Sequence, residues 1–253
     1  MDATRSGQPI SYVVRRSARA RRVSLTVSPR DGVVVVVPAR GDPGIAAALV
    51  DSRREWILRA QRRFARERAS VPDATAADGS GRLPDALALR ALGESWQVTY
   101  DEVTAGRGRV LARPGSVLVV CSRSDEPDAT GDARHLLQGW LGRRARAGLG
   151  PWLARLAGEM GVTVTDMSVR SQRTRWASCS PSGAISVNRN LLFLPGNLVE
   201  HVLVHELCHR SEMNHSPRFW SLVERWDCAA AANRAALRAG WTYVPAWAHT
   251  EPS

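Results

Sequence analysis

β-Forming side chains cluster or alternate near the start of the chain. Tyr12-Val13-Val14 and Val23-Ser24-Leu25-Thr26-Val27 come first, then an aliphatic run from Val33 to Val37 closed by Pro38. Ser28-Pro29-Arg30-Asp31-Gly32 has the composition of a turn, so residues 11–38 read as strands with a hairpin across 23–37. The period then changes. Behind Asp42-Pro43-Gly44, the positions Ile45, Leu49, Trp56, Ala60 and Phe64 keep helical spacing, which predicts one helix over about 43–68. Residues 69–84 are small, polar and rich in Gly and Pro and read as a connector. Strand patterns return near 96–101, 108–113 and 116–121, and a second connector at 122–131 leads to a helical stretch over 132–159. Pro151 is expected to interrupt that stretch and start a new helix. Strands follow at about 162–170 and 184–188, separated by a turn region rich in Ser, Arg and Trp. Helices then begin at Pro195 or Asn197 and at Ser216-Pro217, and a last one covers about 229–239.

The helix after Pro195 breaks the amphipathic rule. Leu198, Val199, Val202, Leu203, Val204, Leu207 and Cys208 cover most of its circumference, so it belongs inside a domain. Yet it carries His205-Glu206-Leu207-Cys208-His209. Histidines four apart fall about 40° apart around a helix, so both imidazoles can reach one metal ion. Glu206 sits about 100° round from His205, beside such an ion, where a carboxylate can take a proton from a metal-bound water. His215, ten residues after His205, is the expected third ligand. The chain must turn to bring it back, and Asn214 can adopt the left-handed conformation that a sharp turn uses. Three protein ligands and one open position make a catalytic site. Cys208 points away from His209 and reads as a small core residue. His201 is expected on the helix surface or behind the ligands, and Glu224 on the next helix could orient a ligand.

Composition narrows the class. With 253 residues, 44% of them hydrophobic, the chain is globular and can bury a sizeable core. Its formal charge is +11, carried by arginine with no lysine, in clusters at Arg15–Arg22, Arg53–Arg68 and Arg143–Arg146. Such a balance can mark a nucleic-acid or phosphate partner, although a coding bias toward arginine gives the same count. The four cysteines include no C-x-x-C pair. No apolar signal stretch opens the chain, and its longest fully aliphatic run, Val33 to Val37, is far too short to span a membrane. A cytoplasmic protein without a membrane partner is the expectation.

Four segments together carry a family resemblance: Trp176-Ala177-Ser178-Cys179-Ser180, Ile185-Ser186-Val187-Asn188, Val202 to His209, and Asn214-His215-Ser216-Pro217-Arg218-Phe219-Trp220. They resemble the YgjP-like metallopeptidase family, described as M48-like and related in outline to the SprT and WLM metalloproteases. The likeness is specific over about 160–230 and weaker over Arg15 to Pro38 and Trp56-Ile57. It implies His205, His209 and His215 as ligands of one zinc ion, or another divalent metal, and Glu206 as general base. Ala177 stands where the family has glycine, and Arg189-Asn190 replaces its Trp-Arg pair.

The expected fold class is α+β. A β-rich N-terminal region with a long helix, 1–125, precedes a zincin-like catalytic domain, 126–253, with helices on a mixed sheet. The expected activity is hydrolysis of a protein or peptide, with strand 184–188 as an edge that pairs with the substrate. Arg173, Arg175 and Tyr243 are candidates for a second electrophile or for substrate contacts. Two alternatives stay open. One, implied by the family resemblance, is a nucleoside triphosphate pyrophosphohydrolase converting UTP to UMP and pyrophosphate; the other, by analogy with SprT-like proteins and the +11 charge, is a DNA-associated protease.

Overall fold

The computed structural model describes residues 9–69, 83–103, 107–123 and 129–249. Most of the connector expected at 69–84, and the middle of that at 122–131, lie outside the described residues. The chain divides into two compact units, Met1–Pro72 and Asp73–Ser253.

In the first unit, β1 (Val13–Ser17), β2 (Ser24–Ser28) and β3 (Gly32–Pro38) form a sheet of order β1-β3-β2. The hairpin β2–β3 is antiparallel and turns at Gly32, whose φ of +65° an L side chain resists, while β1 runs parallel to β3. Val33, Val35 and Val37 alternate onto one face and meet Ala46, Val50 and Ile57. Those three come from two helices, α1 (Ile45–Ser52) and α2 (Arg54–Ala69), not the single helix expected over 43–68. Arg53 departs to φ −109°, ψ 12°, and its N–H is shared between the Leu49 and Val50 carbonyls. The apolar spacing survives this break because one irregular residue barely shifts the helical phase.

The second unit holds two sheets. β4 (Ala86–Leu89), β5 (Glu94–Val103), β6 (Arg109–Arg113) and β7 (Val117–Arg123) lie in the order β4-β5-β7-β6, with β5 parallel to β7. β8 (Asp166–Arg170), β9 (Ala177–Cys179) and β10 (Ala184–Asn188) lie in the order β8-β10-β9. Between them in sequence runs α3 (Ala129–Met160), 32 residues with Pro151 inside. The expected interruption does not occur. Pro151 and Ala147, whose carbonyl loses its partner, are both exposed, so water can replace the missing bond, while Leu149 and Leu153 stay buried. A charge pair from Arg144 to Glu94 fastens α3 to the start of β5. Three more helices follow: α4 (Gly196–Cys208), α5 (Pro217–Trp226) and α6 (Ala230–Leu237).

One apolar cluster runs through this unit, from Leu87, Val98 and Leu118 through Leu137 and Leu149 to Val187, Leu203 and Leu207. The sheet β4-β5-β7-β6 therefore shares its core with the helix bearing the histidines. The expected strand 162–170 begins only at Asp166, and β9 occupies the region expected to be turn. β10 is the central strand of its sheet and cannot serve as the edge expected at 184–188. Among the described residues no helix is long and apolar enough to cross a membrane.

Candidate metal centre

Pro195 (ψ 145°) holds the chain extended just before α4, and the helix then fills the core through Leu198, Val199, Leu203 and Leu207. His201, His205 and His209 recur every fourth residue on the remaining stripe. After Cys208 the helix unwinds in tight turns. The Arg210, Ser211 and Glu212 N–H groups reach back to Leu207 and Cys208. Ser216 N–H then donates to the Asn214 carbonyl at 2.8 Å, a three-residue turn centred on His215. Asn214 is not left-handed; Ser116 is the one non-glycine with positive φ among the described residues. The reversal is spread over several bonds rather than placed in one strained residue. Ser216 caps α5 by accepting from Phe219 N–H at 3.2 Å, which fixes His215 at the mouth of that helix.

These turns bring one nitrogen from each of His205, His209 and His215 within 4.8 Å of the others. The Nε2 atoms of His205 and His215 are 3.0 Å apart. Nitrogens sharing a tetrahedral ion at zinc-like bond lengths would stand about 3.3 Å apart, so the cluster is close to ligand spacing. Phe219, fully buried, packs its ring 4.9, 4.5 and 4.8 Å from the three imidazole centroids and sets their relative tilt. His209 Nδ1 donates to the Glu212 carbonyl at 3.1 Å, leaving its Nε2 lone pair free. Burial, then the neighbouring His209 and His215, press His205 down to about 3, so its ring is neutral at ordinary pH. A neutral imidazole is the form that binds a metal.

Glu206 is buried at 7% exposure. Burial pushes its carboxyl up to about 7, against the Cys179 N–H, which bonds it, and the charge of Arg175. Two clefts of about 540 and 400 Å³ meet at this point, both lined by Arg175, Ala177, His205, Glu206 and His215. Ala177, in the strand β9, has no positive φ, so its Cβ in place of a glycine causes no backbone strain. Asn190, in the pair that replaces Trp-Arg, is fully buried, and its N–H donates to the Asn188 side chain at 3.0 Å.

Of the three candidates for a second electrophile or substrate contact, Arg175 alone lines the clefts; Arg173 and Tyr243 line neither. Glu224 is exposed and lies outside both. His201 is 2% exposed, behind the cluster rather than on a helix surface. Its Nδ1 donates to Asp227 at 2.6 Å, and Asp227 also accepts from Asn233, whose side-chain oxygen accepts from Asn197. Asp227, Asn233, Phe219 and Arg234 go beyond the sequence-derived site. The one signal for Asp227 was its place at a helix start, where its carboxylate accepts from Ala229 N–H at 2.9 Å.

A family model described as YgjP-like, metallopeptidase domain, matches residues 21–239. No curated protein and no solved structure matches the chain.

Proposed function

The chain belongs to the YgjP-like metallopeptidase domain family, and from that premise we propose that it is a zinc peptidase with Glu206 as its general base. One observation carries the reading: three imidazole nitrogens converge within 4.8 Å beside a buried carboxylate. His205, His209 and His215 would hold the ion. An all-imidazole set suits zinc among divalent metals, and three ligands leave a position open for water and substrate. When bound, the ion supplies a Lewis acid that acidifies water and polarises a carbonyl.

Peptide hydrolysis moves one proton from the attacking water to the leaving nitrogen. Glu206 is suited to carry it. Burial favours its protonated form and so makes it a ready proton acceptor, and the Cys179 N–H holds the carboxylate in one orientation. The strand that could receive an extended peptide is β9. Ser180 N–H and the Trp176 carbonyl bond to β10, so the alternate residues Ala177 and Cys179 turn their backbone the other way, toward the clefts; the Cys179 N–H is taken by Glu206, and the pairing falls to the other groups of that edge.

The test is elemental analysis and peptide hydrolysis on two variants. Glu206→Gln should keep its metal while turnover falls by about 10²–10⁴-fold, and His215→Ala should lose metal. Full activity in Glu206→Gln would remove the glutamate from the proposed role. A nucleic-acid-associated peptidase is a second reading. It is favoured by the position of the charge: residues 1–72 hold 15 arginines against 6 acidic residues, +9 of the total +11.

A further inference from the structure

Two guanidinium groups line the larger cleft, and the charge of one of them, Arg175, reaches Glu206. Arg175, just before β9, and Arg234, on α6, both line it, and neither forms an ion pair among the described residues. Glu206 is the one carboxylate in the same wall.

The Arg175 backbone and the Arg234 side chain are each held in place. The Arg175 carbonyl accepts from Asn188 Nδ2 at 2.9 Å, and Asn188 is fully buried. The Arg234 guanidinium lies 3.9 Å from the centre of the Trp220 ring, and Trp220 stacks in turn on His215 at 5.8 Å. Stacking occupies the face of a guanidinium and leaves its in-plane N–H donors free to grip a carboxylate with two bonds. Trp176 completes the wall, stacked at 4.1 Å on Trp241 and set so close over Gly240 that a Cβ there would stand 3.0 Å from its ring.

Two guanidinium groups against one carboxylate leave this wall with an excess of positive charge. Arg234 sits on the triad's side of the cleft, over the ring that stacks on His215. An anionic group of the substrate would be attracted to both arginines. We propose that Arg175 and Arg234 form a subsite for a carboxylate of the substrate, so that the protein selects acidic peptides. The peptide part rests on the function proposed above; the carboxylate part rests on the two arginines. Trp176, Trp220, Val202 and Leu237 surround the charge with apolar wall, which suits the aliphatic stem of a glutamate.

The experiment has a binding arm and a turnover arm, both on the full-length, zinc-loaded protein. In the first, Glu206→Gln protein is titrated calorimetrically with matched peptides: Glu against Gln within the chain, and free acid against amide at the C-terminus. The acidic member of a pair should bind about tenfold tighter or more, and which pair responds identifies the carboxylate. Adding Arg234→Gln should erase the difference, and Arg234→Lys should restore part of it. In the second arm, kcat/KM on the same peptides should show the same preference. Acidic selectivity in binding without cleavage of any peptide supports the subsite and removes the peptidase reading. Cleavage with no acidic preference removes the subsite and keeps the peptidase. Displacement of the acidic peptide by a nucleoside triphosphate, at lower concentration and through Arg234, would overturn the assignment to peptides.

Discussion

At the scale of single residues, Asp227 is the position on which most depends without touching the metal cluster. Its carboxylate accepts from His201, Asn233 and the Ala229 N–H. His201 and Asn233 are buried, so removing the acceptor leaves two polar groups without partners. Asp227→Ala should cost about 2–4 kcal/mol, read from urea unfolding, and a loss below 1 kcal/mol would refute this. Burial alone would raise the Asp227 pKa, but the hydrogen bonds from Asn233, His201 and Ala229 outweigh it and hold the group below 3.8. A depressed folded value means the bonus is present above about pH 4 and disappears as pH falls through that value. The acid limb of the stability curve should therefore flatten in the variant. The pairing of Asp227 with His201 was not legible in the sequence, because the two meet only once the chain after α5 has folded back against α4. The histidines were legible because they share one helix or the turn just after it, where local periodicity alone brings them together.

Among the elements, α3 is the plainest case of packing overriding a local rule. Pro151 sits inside a 32-residue helix that a proline should end. Leu141, Ala145, Leu149, Leu153 and Leu156 are all buried, and their stripe continues across the proline. Burial on both sides holds the axis, and the solvent-facing position lets water take the orphaned Ala147 carbonyl. Pro151→Ala restores the N–H and its bond, while giving up the stiffness that proline lends the unfolded chain. The net expectation is a gain of about 1–3 kcal/mol in unfolding free energy with unchanged helical circular dichroism. An unchanged or lower stability would show that the helix has already relaxed around the ring. The edge of the second sheet was unreadable for a different reason. Strand periodicity gave β10 from Ile185 and Val187, but three-residue β9 is too short to show a period, and without it the centre of the sheet looks like its rim.

For the whole molecule, the placement of charge matters more than its amount. The sequence shows +11, yet only the division into two units assigns +9 of it to residues 1–72. Within that unit Arg59, Arg62, Arg63 and Arg66 are exposed on α2 at intervals of three, four and seven, which puts them on one helical face. The acidic residues beside them barely neutralise the row. Glu55 lies 4.0 Å from Arg59 and Glu67 lies 3.7 Å from Arg63, both i,i+4 pairs at the surface, worth little in water. Trp56, also exposed, precedes the row by one turn and offers a ring for stacking. A surface of this kind should bind nucleic acid through its phosphates. With four phosphates neutralised, affinity for a short DNA duplex should fall about a hundredfold between 50 and 200 mM salt, measured by fluorescence anisotropy on the full chain. Replacing the four arginines with glutamine should flatten that slope and leave the metal content untouched. Salt-insensitive binding, or none at low salt, would leave the arginines to a coding bias and the peptidase without a nucleic-acid partner.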